Sequence, residues 1–139
     1  MKKLLYAFLL AASASIFAVQ ARTQVIVIAN PGVKASDVSK NDLKDVFTGA
    51  STSLSGGTVV PVLAKAGPAH EEFLQAYIGK NDAAYRAGWR SLVFSGQATM
   101  PKSVDGDAAV VEFVAHNAGA IGYIGKASAH DGVKVLSVK

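Results

Sequence analysis

The run Ala64-Lys65-Ala66-Gly67 sets small side chains around one lysine, between an apolar segment (Val59, Val60, Val62, Leu63) and a helix start at Pro68. Backbone amides exposed at such a strand–turn–helix junction can hold an anion, and the positive end of the helix dipole favours it. Gly67 fits the N-cap, and Pro68 fits the first helical turn, where its missing N–H needs no partner. The same residues equally suit an ordinary strand-to-helix connection with a solvated lysine. His70 shares an inward stripe with Phe73, Leu74 and Tyr77 at helical spacing, so it is either a ligand contact or a packed histidine. Ser95 and Thr99 carry hydroxyls in the polar stretch after a later helix. Lys65, Gly67, His70, Ser95 and Thr99 are the expected ligand-binding edge.

Other chemistry finds little to build on. Neither His116 nor His130 has a second histidine at metal-ligand spacing, and His70-Glu71 is not a metalloprotease helix motif. His116 is expected near a helix C-terminus, and His130-Asp131-Gly132 in a turn. There is no cysteine, which removes disulfides, thiolate nucleophiles and thiolate metal ligands. Ser51, Ser53 and Ser95 lie outside any Gly-x-Ser-x-Gly elbow. The expectation is a binding protein, not an enzyme, with no catalytic residue, metal or cofactor.

Charge and hydropathy divide the chain. Met1-Lys2-Lys3, an apolar run from Leu4 to Val19, and Val19-Gln20-Ala21 have the order of a secretory signal peptide, residues 1–21. The apolar run is shorter than the roughly 20 residues that cross a bilayer, so no membrane anchor is expected after cleavage. Lys2 and Lys3 account for two of the four net positive charges. The remaining Lys and Arg are scattered, which argues against a nucleic-acid partner. Residues 22–139 are long enough for one domain with a real core.

The elements that must position the edge follow from periodicity. Thr23 to Ala29 suits a strand buried on both faces. A helix starts at a Ser39 cap, buries Leu43, Val46 and Phe47, and stops at Gly49. Ala50 to Gly57 is expected as a loop before the central strand. The helix from Pro68 ends at Gly79. Asp82 is expected to cap the next helix, with Tyr85, Trp89, Leu92 and Val93 inward. Thr99 to Ser103 is expected as a polar loop. Asp107 is expected to cap a last helix burying Val110, Val111, Phe113 and Val114, before strands at Ala120–Ile124 and Val133–Val138. The order β-α-β-α-α-α-β-β is that of an α/β domain covered by helices.

Four segments in order carry a resemblance: DLKDVFTG (42–49), GPAHEEFL (67–74), WRSLVFSG (89–96) and GAIGYI (119–124). The chain resembles small periplasmic-binding-protein-like proteins related to the substrate-binding component of the phosphate ABC transporter. The resemblance implies a single lobe of a type II periplasmic-binding-protein-like fold, a mixed sheet covered by helices. It also implies a periplasmic location, a small oxyanion or other solute as ligand, and a membrane transporter or sensor as partner. In those receptors the matching turn reads Arg-Ser-Asp-Gly-Ser-Gly-Thr, whereas here it is LAKAGPA (63–69), without arginine, hydroxyl or acid. Pro68 withholds one more amide, and Glu71 and Glu72 add negative charge nearby. Tight phosphate binding is therefore not expected. The alternative is a protein–protein interaction module that uses the half-cleft surface without a small ligand.

Export has a direct test. N-terminal mass analysis of soluble protein from the native host should find a chain beginning near Arg22; an intact Met1 would refute it.

Overall fold

The computed structural model describes residues 24–139; the signal-peptide expectation for residues 1–21 lies outside them. The β-branched run forms β1 (Val25–Ala29), with Val25 and Val27 to Ala29 buried. A two-residue strand, β2 (Asp37–Val38), leads to α1 (Lys40–Thr48). The Ser39 hydroxyl accepts the Asp42 N–H, and Gly49 closes α1 in the left-handed region at φ 84°. A Cβ on Gly49 would lie 2.6 Å from Leu92 Cδ1, so packing as well as conformation requires glycine there.

A small hairpin, β3 (Ser53–Leu54) and β4 (Gly57–Thr58), occupies the expected loop, and β5 (Val60–Ala64) follows. Helix α2 (Pro68–Phe73) runs directly into a widened turn at Leu74–Ile78, where the Gly79 N–H reaches the Leu74 carbonyl at 2.7 Å. The expected stripe places Tyr77 inward. The wide turn rotates the helix so that Ile78 takes the core position and Tyr77 is half-buried.

Helix α3 (Asp82–Phe94) is capped by Asn81, whose side chain accepts the Ala84 N–H at 2.8 Å. Asp82 is therefore not the cap. It lies inside the first turn, with its carboxylate free for tertiary bonds. Tyr85 and Trp89 are buried as the stripe requires, but at the helix end Val93 is exposed and Phe94 is 96% exposed. The expected polar loop contains an edge strand, β6 (Lys102–Val104), beside β5. Backbone pairing, not side-chain pattern, makes it a strand.

Asp105 holds the N-cap position of α4 (Gly106–His116) without a side-chain cap bond, so Asp107 is not the cap either. The Asp107 carboxylate instead accepts from the Gly125 N–H at 2.9 Å and the Ser128 hydroxyl at 2.5 Å. Val110 and Val114 are fully buried, whereas Val111 and Phe113 are half-buried. Strands β7 (Ala120–Gly125) and β8 (Lys134–Val138) complete the chain.

The main sheet has the order β2-β8-β1-β7-β5-β6. Strand β1 is antiparallel to β7 and β8, whereas β5 is parallel to β7 and β6. Side chains alternate along central β7 and divide the core into two layers. On one face, a Cβ on Gly122 would come within 2.8 Å of Val110 and 2.9 Å of Val62, which records how closely α4 sits on the sheet. On the other, the Tyr123 ring stacks on Phe73 at 4.0 Å and meets Phe47 edge-on at 5.8 Å.

The end of α1 is tied to α3 by the Phe47 carbonyl, which accepts from Trp89 Nε1 at 3.0 Å and from the Tyr85 hydroxyl. Two buried donors thus satisfy a carbonyl that the helix end leaves open, and burial pushes the Tyr85 phenol up to about 12. Replacing Trp89, 4% exposed, with Ala removes a ring from this joint. The expected loss is about 3–5 kcal/mol, read as a lowered urea midpoint; an unshifted midpoint would contradict the packing described.

Candidate functional site

Parallel strands β5, β6 and β7 end on the same edge of the sheet, and in open α/β sheets ligands bind outside such strand ends. The turn after β5 forms this edge. The Lys65 N–H is bonded to the Val104 carbonyl at 3.0 Å, which ties the turn to the end of β6. Gly67 is the N-cap of α2 at φ 112°, in the region that favours glycine, and no atom lies within 4 Å of a Cβ placed there. Conformation, not crowding, requires glycine at this position.

Beneath the turn, four side chains form a hydrogen-bonded ring that begins and ends at Ala64. The Ala64 N–H donates to the Tyr123 hydroxyl at 3.0 Å. Tyr123 Oη lies 2.5 Å from His70 Nδ1, and His70 Nε2 lies 2.6 Å from Asp82 Oδ1. Arg86 Nε donates to the same Asp82 oxygen at 2.8 Å. Arg86 Nη2 then donates to the carbonyls of Ala64 at 3.2 Å and Lys65 at 3.0 Å. Because the Tyr123 oxygen already accepts from Ala64, its proton is placed toward His70 Nδ1, and the imidazole proton falls on Nε2, facing the carboxylate. Each of the donors in this series then meets an acceptor, and among the described residues no buried side-chain polar atom lacks a partner.

Burial sets the chemistry of this ring. Tyr123 is fully buried and His70 is 1% exposed. Desolvation drives the Tyr123 phenol well above its ordinary range. A hydroxyl, an imidazole and a carboxylate in series have the composition of a nucleophile chain, but no substrate can reach a tyrosine inside the sheet. For Asp82, burial acts to raise the carboxyl, yet hydrogen bonds from His70 and Arg86, together with the Arg86 charge, outweigh it and hold the group below its usual value.

The expected edge residues divide into three. Lys65 and Gly67 are on the edge, and Lys65 Nζ lies 3.5 Å from Asp105 Oδ2 across two exposed side chains. His70 is directly below, with both ring nitrogens bonded. Ser95 and Thr99 are elsewhere: Ser95 follows the end of α3, nine residues or about 13 Å beyond Arg86, and its hydroxyl donates to the Leu92 carbonyl at 3.1 Å. Thr99 precedes β6 at the end of the strand away from Lys65.

Sequence reasoning missed Arg86, Asp82 and Tyr123. The i, i+4 spacing of Asp82 and Arg86 on one helix face was a visible signal; nothing local marked Tyr123. Among the described residues, no cluster of three or more His, Cys, Asp or Glu could hold a metal ion. Nor is any helix long and apolar enough to cross a membrane.

Neither a protein-family model nor a curated protein matches the chain. Solved structures do. A phosphate ABC transporter substrate-binding protein from Clostridium perfringens, with bound phosphate, matches 83% of this chain at 20% identity and TM-score 0.64. PstS from Borrelia burgdorferi matches 84% at 18% identity, also with TM-score 0.64. An ABC-type phosphate transport receptor from Vibrio cholerae matches 83% at 16% identity and TM-score 0.56. The matches span 44%, 47% and 46% of those proteins, so this chain corresponds to under half of each. At such identity the likeness shows the fold: a single periplasmic-binding-protein-like α/β lobe, its mixed sheet covered by helices.

The depressed Asp82 carboxyl sets a pH dependence. Its folded-state pKa lies below its unfolded value, so its stabilisation is present above about pH 4 and is lost as pH falls through the folded value. Asp82→Asn should therefore lower the urea midpoint at about pH 7 and close that gap toward about pH 3. The effect should reach at most about 1 kcal/mol, since solvent screens a half-exposed carboxylate. A gap that stays constant with pH would exclude the assignment.

Proposed function

We propose that this chain is an exported, periplasmic, non-enzymatic solute-binding-like protein. It presents the Lys65–Gly67 edge to a solute or to a transporter or sensor in the membrane. The observation that carries the proposal is the match of over four-fifths of the chain to phosphate transport receptors, with the turn standing at the strand ends of the matched lobe. Export rests on the sequence of residues 1–21.

The edge chemistry argues against tight binding of free phosphate. Among the described residues, the guanidinium bonded to the turn is that of Arg86, which is committed to Asp82 and to two backbone carbonyls. The Lys65 ammonium faces Asp105, and the Lys65 N–H is bonded to Val104. Pro68 has no N–H to offer, and Glu71 adds a carboxylate in the first turn of α2. Each missing charge-assisted hydrogen bond weakens a complex by roughly 1.5–3 kcal/mol, so losing two costs on the order of a hundredfold to ten-thousandfold in affinity.

Titration calorimetry with phosphate should find binding no tighter than about 10 µM, declining further as salt screens Lys65 and the helix end. Submicromolar binding by the monomer would overturn the reading. Binding confined to a dimer would point to a second copy completing the site.

A further inference from the structure

Protonation of a buried histidine matters most where each of its nitrogens already has an assigned role, and His70 is such a case. The titratable and charged groups that face it are Tyr123 on β7 and Asp82 and Arg86 on α3; Glu71 and Glu72 follow it on its own helix. The ring closes with one proton on the imidazole. Nε2–H meets Asp82, and bare Nδ1 accepts from the Tyr123 hydroxyl, which itself accepts from the Ala64 N–H.

A second imidazole proton, on Nδ1, changes the two sides of the ring in opposite directions. Toward α3, it turns the contact with Asp82 into an ion pair and strengthens it. Toward the sheet, Nδ1–H and Tyr O–H would meet head to head across 2.5 Å. If the hydroxyl turns to accept from both His70 and Ala64, its own proton is left unpartnered in a fully buried setting, which is costly. If it keeps a partner for that proton, the Ala64 N–H loses its acceptor.

We infer that His70 is a proton-operated latch on the turn after β5. With one proton, it locks the Ala64 amide to the sheet through Tyr123. With two, its hold passes to α3, and the last residue of β5 is released while Arg86 still grips the Ala64 and Lys65 carbonyls. The inference takes the turn as the solute-facing edge proposed above. The latch can be tested without any solute, so its failure would leave the calorimetric test untouched.

The experiment is residue-resolved amide hydrogen exchange on the purified protein between about pH 7.5 and about pH 5. Rates are corrected for the intrinsic pH dependence of exchange. The ¹⁵N shifts of the His70 ring are followed in parallel to count its protons. The expected result is an Nε2–H ring at the upper pH and loss of Ala64 protection by at least about tenfold as the second proton binds. Amides of Ile28 and Ile124 should stay protected. Tyr123→Phe should exchange rapidly at Ala64 at both pH values.

Three results would overturn the latch. One is unchanged Ala64 protection with a doubly protonated ring. Another is a uniform fall across Ala64, Ile28 and Ile124, which would mean global loosening. The third is a ring that keeps a single proton down to about pH 4.

Discussion

Where β5 leaves the sheet, one backbone N–H, that of Ala64, has a tyrosine hydroxyl as its acceptor, and the arrangement of the site depends on that bond. A buried amide without an acceptor is strongly unfavourable, so the end of a parallel strand needs a partner brought from elsewhere in the fold. Tyr123 supplies it from the middle of β7, far from Ala64 in sequence. Its hydroxyl then needs an acceptor, which draws in His70; the imidazole needs one too, which draws in Asp82. Arg86 balances that carboxylate and returns to the Ala64 carbonyl. Each residue is thus fixed by the unsatisfied group of the one before it. The result joins α2, α3, β5 and β7 with no buried side-chain polar atom unpaired among the described residues.

The ring also commits the polar groups beneath the turn to partners within the protein. A guanidinium is present beside the turn, but it points its donors at the protein's own carbonyls and carboxylate. It serves as a clamp on the backbone. The exposed lysine likewise faces an aspartate. Such a surface pair contributes little stability. Fold and ligand chemistry are separable for this reason: the fold follows from sheet order and core packing, whereas anion affinity depends on a few uncommitted donors.

The neighbouring apolar layer supports the ring sterically. Phe73 stacked on Tyr123, with Phe47 at its edge, fixes the phenol in one orientation, so the hydroxyl reaches Ala64 and His70 together. Phe47 in turn has its carbonyl held by Trp89 and Tyr85. Packing on this face of the sheet and hydrogen bonding beneath the turn are therefore one connected arrangement, from α1 through α3 to the edge.

Much of the fold was legible in the chain because local physics determines it. Ser39 capping α1, Gly49 and Gly79 in the left-handed region, Gly67 and Pro68 opening α2, and the inward placement of Leu43, Phe47, Tyr85 and Trp89 all follow from capping, backbone freedom and periodicity. These act within a few residues. The features that escaped were decided by partners distant in sequence. Strand β6 exists because β5 offers a ladder to Lys102–Val104, not because those residues alternate. Asn81 takes the cap of α3, and the Asp82 carboxylate is reached from another helix by His70 as well as by Arg86 one turn on. The sequence alone placed Lys65 and Gly67 on a strand-to-helix turn and marked His70 as facing inward. Only the tertiary structure decided that His70 lies beneath that turn and that Ser95 and Thr99 lie away from it. Hydrogen bonds between buried groups depend on which strands become neighbours, and periodicity along one chain does not specify that choice.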